Sequence, residues 1–294
     1  MRTRFAPSPT GPLHLGHAHS ALTAWERGGP DGFLLRIEDL DAARCRPEWE
    51  TLIEDDLRWL GLRWPRPVLR QSERRPLYAA AVARLAAMGL AYPCRCRRAD
   101  IRAALSAPQE GAPPHGPDGL IYPGTCRGRP MAEAGPDDAI RLDMARAAAL
   151  PGPLRFRETG PVHPGEHAVT PQALVERVGD VALARRDVGA SYHVAVVVDD
   201  AGQGIEEVVR GADLFDATAI HVLLQRLLGL STPLYHHHTL IRDDQGRRLA
   251  KRDDARSLRS YREAGLSPEE VRALAGHPAS GAISSTSSPS RKAV

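Results

Sequence analysis

The sequence predicts an α/β protein built on a parallel sheet. Strand-like apolar runs alternate with helical patterns up to about residue 90, a Pro/Gly-rich stretch without helical periodicity breaks that rhythm, and the rhythm returns near Gln172. Thr3 to Ala6 reads as a short strand entering the rigid turn Pro7-Ser8-Pro9-Thr10-Gly11-Pro12, and a helical pattern follows from about Gly16 to Trp25. Gly32 to Ile37 is a second strand, closed by the acidic Glu38-Asp39-Leu40-Asp41. Helical stretches over about 48–60 and 73–88 come next, the second stopped at Gly89.

From Tyr92 to about Pro171 the periodicity is poor, and 106–119 reads as a loop. Beyond it, the apolar run Ser191 to Val198 is expected to be a strand buried on both faces. Leu214 to Leu228 is a helix, and Ser231 to Leu240 leads, strand-like at His236–His238, into the polar loop Arg242 to Asp254. A last helix is expected over Ser267 to Ala275, with Ser267 as its N-cap and Pro268 in its first position. The organisation is therefore a first half of the sheet domain over 1–90, an insertion over 91–171 and a second half over 172–232. A C-terminal loop and helical segment covers 233–276, and the Ser-, Ala- and Pro-rich 277–294 is expected to be a disordered tail.

Composition narrows the function classes. A chain of 294 residues with 42% hydrophobic content can bury a proper core. It holds no apolar run of 18 residues, which excludes a helical membrane span, and Met1 to Pro7 lacks the apolar run of a secretory signal, so the expected compartment is the cytoplasm. A formal charge of +3 does not by itself point to nucleic acid. All but Lys251 and Lys292 of the 39 basic residues are arginine; codon bias accounts for that, although arginine forks also match phosphate oxygens. Four cysteines argue against a disulfide framework, and the grouping of Cys94, Cys96 and Cys126 suggests metal.

Five constellations carry chemistry. The run Arg4 to His17 sets a strand end, a rigid turn and a helix start that presents His14, Gly16 and His17. A helix N-terminus suits a triphosphate, and two imidazoles three apart can face one phosphate. Taken alone, a His-x-Gly-His is more simply a Pro-rich turn with surface histidines. Arg36-Ile37-Glu38-Asp39-Leu40-Asp41 places carboxylates at the carboxyl end of a strand, where open α/β sheets bind ligands and an ammonium group needs a counter-charge; taken alone, a solvated acidic turn is the simpler reading. Tyr192 and Arg210 flank the next apolar runs; alone, Tyr192 fits core and pocket equally well. Lys251, in the loop Gly246 to Asp253, can bring an ammonium to phosphates, or the loop is a basic surface turn. Cys94, Cys96 and Cys126 with Tyr122 offer three thiols and a phenol, which by spacing fit a zinc site and spare buried thiols equally. His236-His237-His238 is not read as a metal site, because alternate strand residues face opposite ways and no carboxylate or thiolate adjoins them.

The unbroken stretch Arg4-Phe5-Ala6-Pro7-Ser8-Pro9-Thr10-Gly11-Pro12-Leu13-His14-Leu15-Gly16-His17 resembles the HIGH element of class I aminoacyl-tRNA synthetases in its glutamyl/glutaminyl form. Arg36 to Asp41 resembles that family's Arg-x-Glu-Asp-Thr-Asp element, with Leu40 in place of Thr. Gly246 to Asp253 stands where KMSKS belongs, eroded to Arg248, Leu249, Ala250, Lys251 and Arg252. The resemblance implies a Rossmann-like parallel sheet with an inserted subdomain. It implies His14, Gly16, His17 and Lys251 for ATP, taken with Mg2+, and Arg4, Phe5, Ala6, Pro7, Ser8, Glu38, Tyr192 and Arg210 for L-glutamate. In those roles His14, His17 and Lys251 stabilise the phosphates as glutamyl-adenylate forms.

Cys94, Cys96, Tyr122 and Cys126 resemble the Cys-x-Cys…Tyr-x-x-x-Cys zinc element of a truncated branch of that family, which implies one structural Zn2+. Almost nothing follows residue 277 where a full glutamyl enzyme carries its anticodon-reading domain. Resemblance to the truncated branch implies activation without tRNA, then transfer of glutamate to the queuosine of the tRNA(Asp) anticodon by a monomer. A short enzyme that charges tRNA(Glu), or a non-catalytic RNA-binding relative, are the alternatives.

Overall fold

The computed structural model describes residues 1–105, 115–185, 189–241 and 256–278. The chain opens as β1 (Thr3–Phe5), α1 (Leu15–Gly32), β2 (Phe33–Ile37), α2 (Pro47–Trp59), β3 (Leu69–Arg70) and α3 (Arg75–Ala87). It continues through β4 (Ala91–Cys94), α4 (Arg98–Leu105), β5 (His115–Gly116), β6 (Gly119–Leu120), β7 (Ala139–Leu142), α5 (Met144–Ala149), β8 (Leu154–Glu158) and β9 (Gly165–Val169). Last come α6 (Pro171–Ala173), β10 (Ala182–Ala184), α7 (Tyr192–Gly202), β11 (Glu207–Gly211), α8 (Thr218–Leu228), β12 (Leu234–His238), α9 (Leu258–Glu263) and α10 (Pro268–Leu274).

The expected α/β rhythm is present as two parallel sheets. In one, β1 pairs with β2 and β2 with β3; in the other, β11 pairs with β12 and β12 with β8, and β9 is added antiparallel. They meet at β1 and β11, where the backbone N–H groups of Glu206 and Glu207 donate to the Arg2 carbonyl at 2.9 and 3.2 Å. The middle of the chain builds a separate antiparallel sheet, β10-β7-β4, and a small β5-β6 hairpin. The largest core cluster fills the space between α3, α7 and α8, and a second packs α1 and α2 against β1, β2 and the C-terminal helices. No helix among the described residues is long and apolar enough to cross a membrane.

The run Ser191 to Val198 is not a strand. It begins α7, and Ser191 caps that helix by accepting from the Val194 N–H at 3.3 Å. Val194, Ala195, Val196 and Val197 are all buried, so the helix is enclosed on every side by its neighbours. An apolar run of this length suits a buried helix as well as a strand, and packing against α3 and α8 overrides the β preference of valine. The change matters because the helix delivers Asp199 and Asp200 into the interior. Asp199 accepts from Tyr78 Oη at 2.7 Å, Gln71 Nε2 at 3.0 Å and Arg74 Nε at 2.7 Å.

The final helix follows its signals, with Ser267 and Glu270 forming a reciprocal capping box and Pro268 in the first turn. The tail expected over 277–294 lies outside the described residues from 279 onward. His277 is held, its Nδ1 lying 2.7 Å from Glu26 Oε1.

Asp56 on α2 is buried, and its Oδ2 has no partner among the described residues. Burial, with Asp55 nearby and against the pull of Arg262, lifts its carboxyl from 3.8 to about 7. Because the folded value is the higher one, the favourable share is present below 3.8 and lost as pH rises through about 7. Asp56→Asn, which cannot ionise, is expected to melt above the native chain at pH 8, by a margin that closes as pH falls toward 4. Thermal melts across that range check it.

Candidate active site

The carboxyl ends of β1, β2, β11 and β12 converge on one cavity of about 570 Å³, at the junction of the two parallel sheets. Each strand ends in a piece of the cavity wall: β1 in the turn Ala6-Pro7-Ser8, β2 in Glu38, β11 in Arg210 and Gly211, and β12 in His238 and Leu240. This is where open α/β sheets place ligands. Arg4, Phe5, Ala6, Pro7, Ser8, Glu38, Tyr192 and Arg210 all line it, as do His14, Gly16 and His17. The eight residues read from sequence as a glutamate site and the three read as an ATP site thus share one cavity. Lys251 lies outside the described residues, but both flanks of its loop are at this site. Ile241 lines the cavity, and the Leu258 N–H donates to the Leu13 carbonyl at 2.8 Å.

The two imidazoles are fixed by the helix they start. His14 is the N-cap of α1; its Nδ1 accepts from the Gly16 N–H at 3.1 Å, and His17 Nδ1 accepts from the His14 N–H at 3.2 Å. The rings lie 3.8 Å apart, centroid to centroid. Since both Nδ1 atoms accept, a neutral ring at either position carries its proton on Nε2, the donor a phosphate oxygen needs. Sequence placed both rings on one helix face; the capping box that fixes their tautomers was not legible.

The charges at the cavity floor form a network. Asp200 accepts from Arg4 Nε at 2.9 Å and Nη2 at 3.3 Å, and from Arg36 Nη1 at 2.7 Å. Arg4 Nη1 also donates to the Val209 carbonyl at 3.1 Å. Burial opposes ionisation of Asp200, but the two guanidinium groups outweigh it and hold its carboxyl below the usual range. Burial pushes Glu38 the other way, above the usual range, although Arg36 lies 3.4 Å off. An ammonium group bound at Glu38 would favour its charged form. Arg4, read from sequence as a partner for a substrate carboxylate, is therefore already matched by Asp200. Sequence reasoning missed Asp200; the only signal was an acidic pair ending an apolar run.

Cys94, Cys96 and Cys126 come together as the spacing suggested, their Sγ atoms all within 4.8 Å of one another. Tyr122 Oη lies 3.4 Å from both Cys94 and Cys96 Sγ, Cys96 and Cys126 are 3.6 Å apart, and Tyr122 Oη accepts from the Cys126 N–H at 2.8 Å. Donors around a tetrahedral zinc stand roughly 3.3–3.8 Å from each other, the range in which the two Tyr122–cysteine contacts and the Cys96–Cys126 contact fall, so the donor chemistry suits the ion. Burial lifts the Cys96 thiol to about 11, whereas Cys126, against burial, is brought down to about 7 by the Tyr122 hydroxyl. The cluster lies on β4 and the turn after β6, away from the cavity lining. His236, His237 and His238 join no cluster of metal-ligating groups among the described residues.

Comparison with known proteins places these features. Residues 1–119 and 158–276 match the family described as tRNA synthetases class I (E and Q), catalytic domain. The glutamyl-Q tRNA(Asp) synthetase of Rhodobacter capsulatus is 59% identical over 281 residues, covering 94% of this chain and 100% of that protein. The protein of the same name from Nocardia farcinica is 44% identical, over 92% of this chain and 82% of its own length. Among solved structures, a glutamate tRNA ligase from Elizabethkingia meningosepticum in complex with its amino acid superposes with a TM-score of 0.72 at 28% identity. That match covers 94% of this chain but only 60% of the ligase. A methionyl-tRNA synthetase from Mycobacterium tuberculosis shares the fold, with a TM-score of 0.55 at 11% identity.

Proposed function

This chain belongs to the glutamyl-Q tRNA(Asp) synthetase family of class I synthetases, and we propose that it activates L-glutamate with ATP as glutamyl-adenylate, without tRNA, then passes the glutamyl group to the queuosine of tRNA(Asp). The observation that carries the activation step is the single cavity lined both by the paired imidazoles of His14 and His17 and by Glu38, Tyr192 and Arg210. Glu38 takes the α-ammonium and Arg210 takes the side-chain carboxylate, with Arg4 lining the cavity but paired with Asp200. The α-carboxylate then attacks the α-phosphorus of ATP, and pyrophosphate leaves. Charge builds on the phosphoryl oxygens in that step. Two Nε2–H donors held by a helix cap are preorganised to meet it. Gly16 lets the nucleotide approach the backbone, and Mg2+ accompanies ATP as it does generally in phosphate chemistry. Lys251 is assigned to the leaving pyrophosphate.

The acceptor rests on the relatives: proteins named glutamyl-Q tRNA(Asp) synthetase match 94% and 92% of this chain. In this reading the enzyme is a cytoplasmic monomer. The test is incubation of the protein with ATP, labelled glutamate and either tRNA(Glu) or tRNA(Asp) with or without queuosine, with glutamate-dependent pyrophosphate exchange measured alongside. Label on the queuosine-bearing tRNA alone is the expected result. Label on the 3′ end of tRNA(Glu) would instead make the chain a short charging enzyme, and no glutamate-dependent pyrophosphate exchange either with or without tRNA would leave an RNA-binding relative.

Cys94, Cys96, Tyr122 and Cys126 would hold one zinc, which when bound ties β4 to the turn after β6. Cys126→Ser is expected to abolish stoichiometric zinc and lower the thermal stability of the insertion, with glutamate-dependent exchange retained. Metal analysis of the reduced protein, with melting of the metal-free form, checks this; a native protein without zinc would remove the assignment.

A further inference from the structure

Arg4 and Arg210 both reach the cavity, but their charges are balanced in different ways. Arg4 is taken by the carboxylate of Asp200. Arg210 is 5% exposed and makes three hydrogen bonds, all to neutral acceptors. Its Nε donates to His237 Nε2 at 3.0 Å, its Nη1 to His221 Nδ1 at 3.0 Å and its Nη2 to Thr218 Oγ1 at 2.8 Å. Among the described residues, no carboxylate pairs with it directly.

Because arginine only donates, these contacts fix the tautomers of both histidines. His237 must present a bare Nε2 to Arg210, so its proton is on Nδ1, 2.5 Å from Glu158 Oε2. Glu158 is itself held: its Oε1 accepts from the His237 N–H at 2.8 Å and the Gly160 N–H at 2.6 Å. A Cβ on Gly160 would stand 2.6 Å from that oxygen, so the backbone approaches it as only glycine allows. His221 must present a bare Nδ1 to Arg210, so its Nε2–H donates to His193 Nδ1 at 3.1 Å. Burial, then the charge of Arg210, keeps both rings neutral, His237 at about 4 and His221 well below the usual histidine value.

We propose that His237 and His221 are positioning residues for substrate specificity: they fix the Arg210 guanidinium without neutralising it, so that its charge is met by the side-chain carboxylate of glutamate and an uncharged glutamine amide is rejected. This rests on the reading of the cavity as a glutamate site. A carboxylate in place of either imidazole would fix the guanidinium as well but cancel the charge that selects the substrate. Glu158 acts one residue further back, holding the tautomer of His237.

The test uses tRNA-free ATP–pyrophosphate exchange by the full chain, read as KM for glutamate, KM for ATP, kcat, and the kcat/KM ratio of glutamate to glutamine. His237→Phe and His221→Phe are expected to raise KM for glutamate about tenfold or more, as loss of a hydrogen bond to a charged group does, and to lower the glutamate/glutamine ratio by a similar factor. KM for ATP holds. His237→Gln and His221→Asn, which restore an acceptor oxygen, recover most of both quantities. His221→Glu, which sets a carboxylate beside Arg210 on the side away from Glu158, is expected to bind glutamate poorly. A fall in kcat with the glutamate/glutamine ratio unchanged overturns the proposal and makes the histidines structural. If a Phe variant does not fold, Thr218→Val, which removes the third neutral acceptor, is read by the same split. Wild-type chain without glutamate-dependent exchange overturns the cavity reading itself, and the proposal with it.

Discussion

Asp200→Asn is expected to destabilise the protein by about 3–5 kcal/mol, the range for removing one partner of a buried charge network. Asp200 is the carboxylate that two buried guanidinium groups share, with Arg4 at 2.9 Å and Arg36 at 2.7 Å. Arg36 is fully buried, and its Nε has no partner among the described residues, so it depends heavily on that carboxylate. The amide of asparagine keeps the shape and one acceptor but removes the charge. It leaves Glu38 as the remaining acid beside Arg36, 3.4 Å away. Denaturant unfolding of the native chain and the variant measures the loss. The pH dependence supplies a second check. Asp200 has a depressed folded pKa, so its contribution is complete at neutral pH and is lost as pH falls through that depressed value. The gap between native and variant should therefore narrow in acid. A gap below about 1 kcal/mol at neutral pH would mean that Arg4 and Arg36 find other partners.

How each feature is encoded decides whether sequence could show it. The residues that start α1 and end β1, β2 and β11 were legible because they are contiguous runs whose residue types have few other uses. Arg4 to His17 needs only its own geometry to present two rings. Cys94, Cys96, Tyr122 and Cys126 were legible as a set only through their resemblance to a zinc element, since by spacing alone the two halves, 26 to 30 residues apart in the contacts they make, fit spare thiols equally well. The partners of these residues were not. Asp200 reaches Arg4 and Arg36 only because α7 is a helix, and its apolar run carries no periodicity that separates helix from strand. Burial around the whole of α7 erased the amphipathic signal. In sequence His237 is one of three strand histidines with no ligand to hold, which is true of metal; its pairing with Arg210 is a parallel register contact between β11 and β12 that no local pattern announces.

The same distinction between a residue and its setting decides how the largest catalytic effect should be measured. His17→Ala is expected to slow glutamate-dependent pyrophosphate exchange by about 10²-fold or more, as loss of a preorganised donor does. Alanine, however, removes two things. His17 Nδ1 accepts from the His14 N–H at 3.2 Å, one half of the capping box of α1, so His17→Ala also costs about 0.5–2 kcal/mol of stability. His17→Asn separates them. Its side-chain oxygen can reach the His14 N–H and restore the cap, but it places no donor where Nε2–H stood. Exchange should therefore fall to a similar level in both variants, whereas the melting temperature falls in His17→Ala and largely recovers in His17→Asn. If exchange recovers together with stability in His17→Asn, the ring acts through the fold of α1, and the donor to the phosphate must be sought in His14.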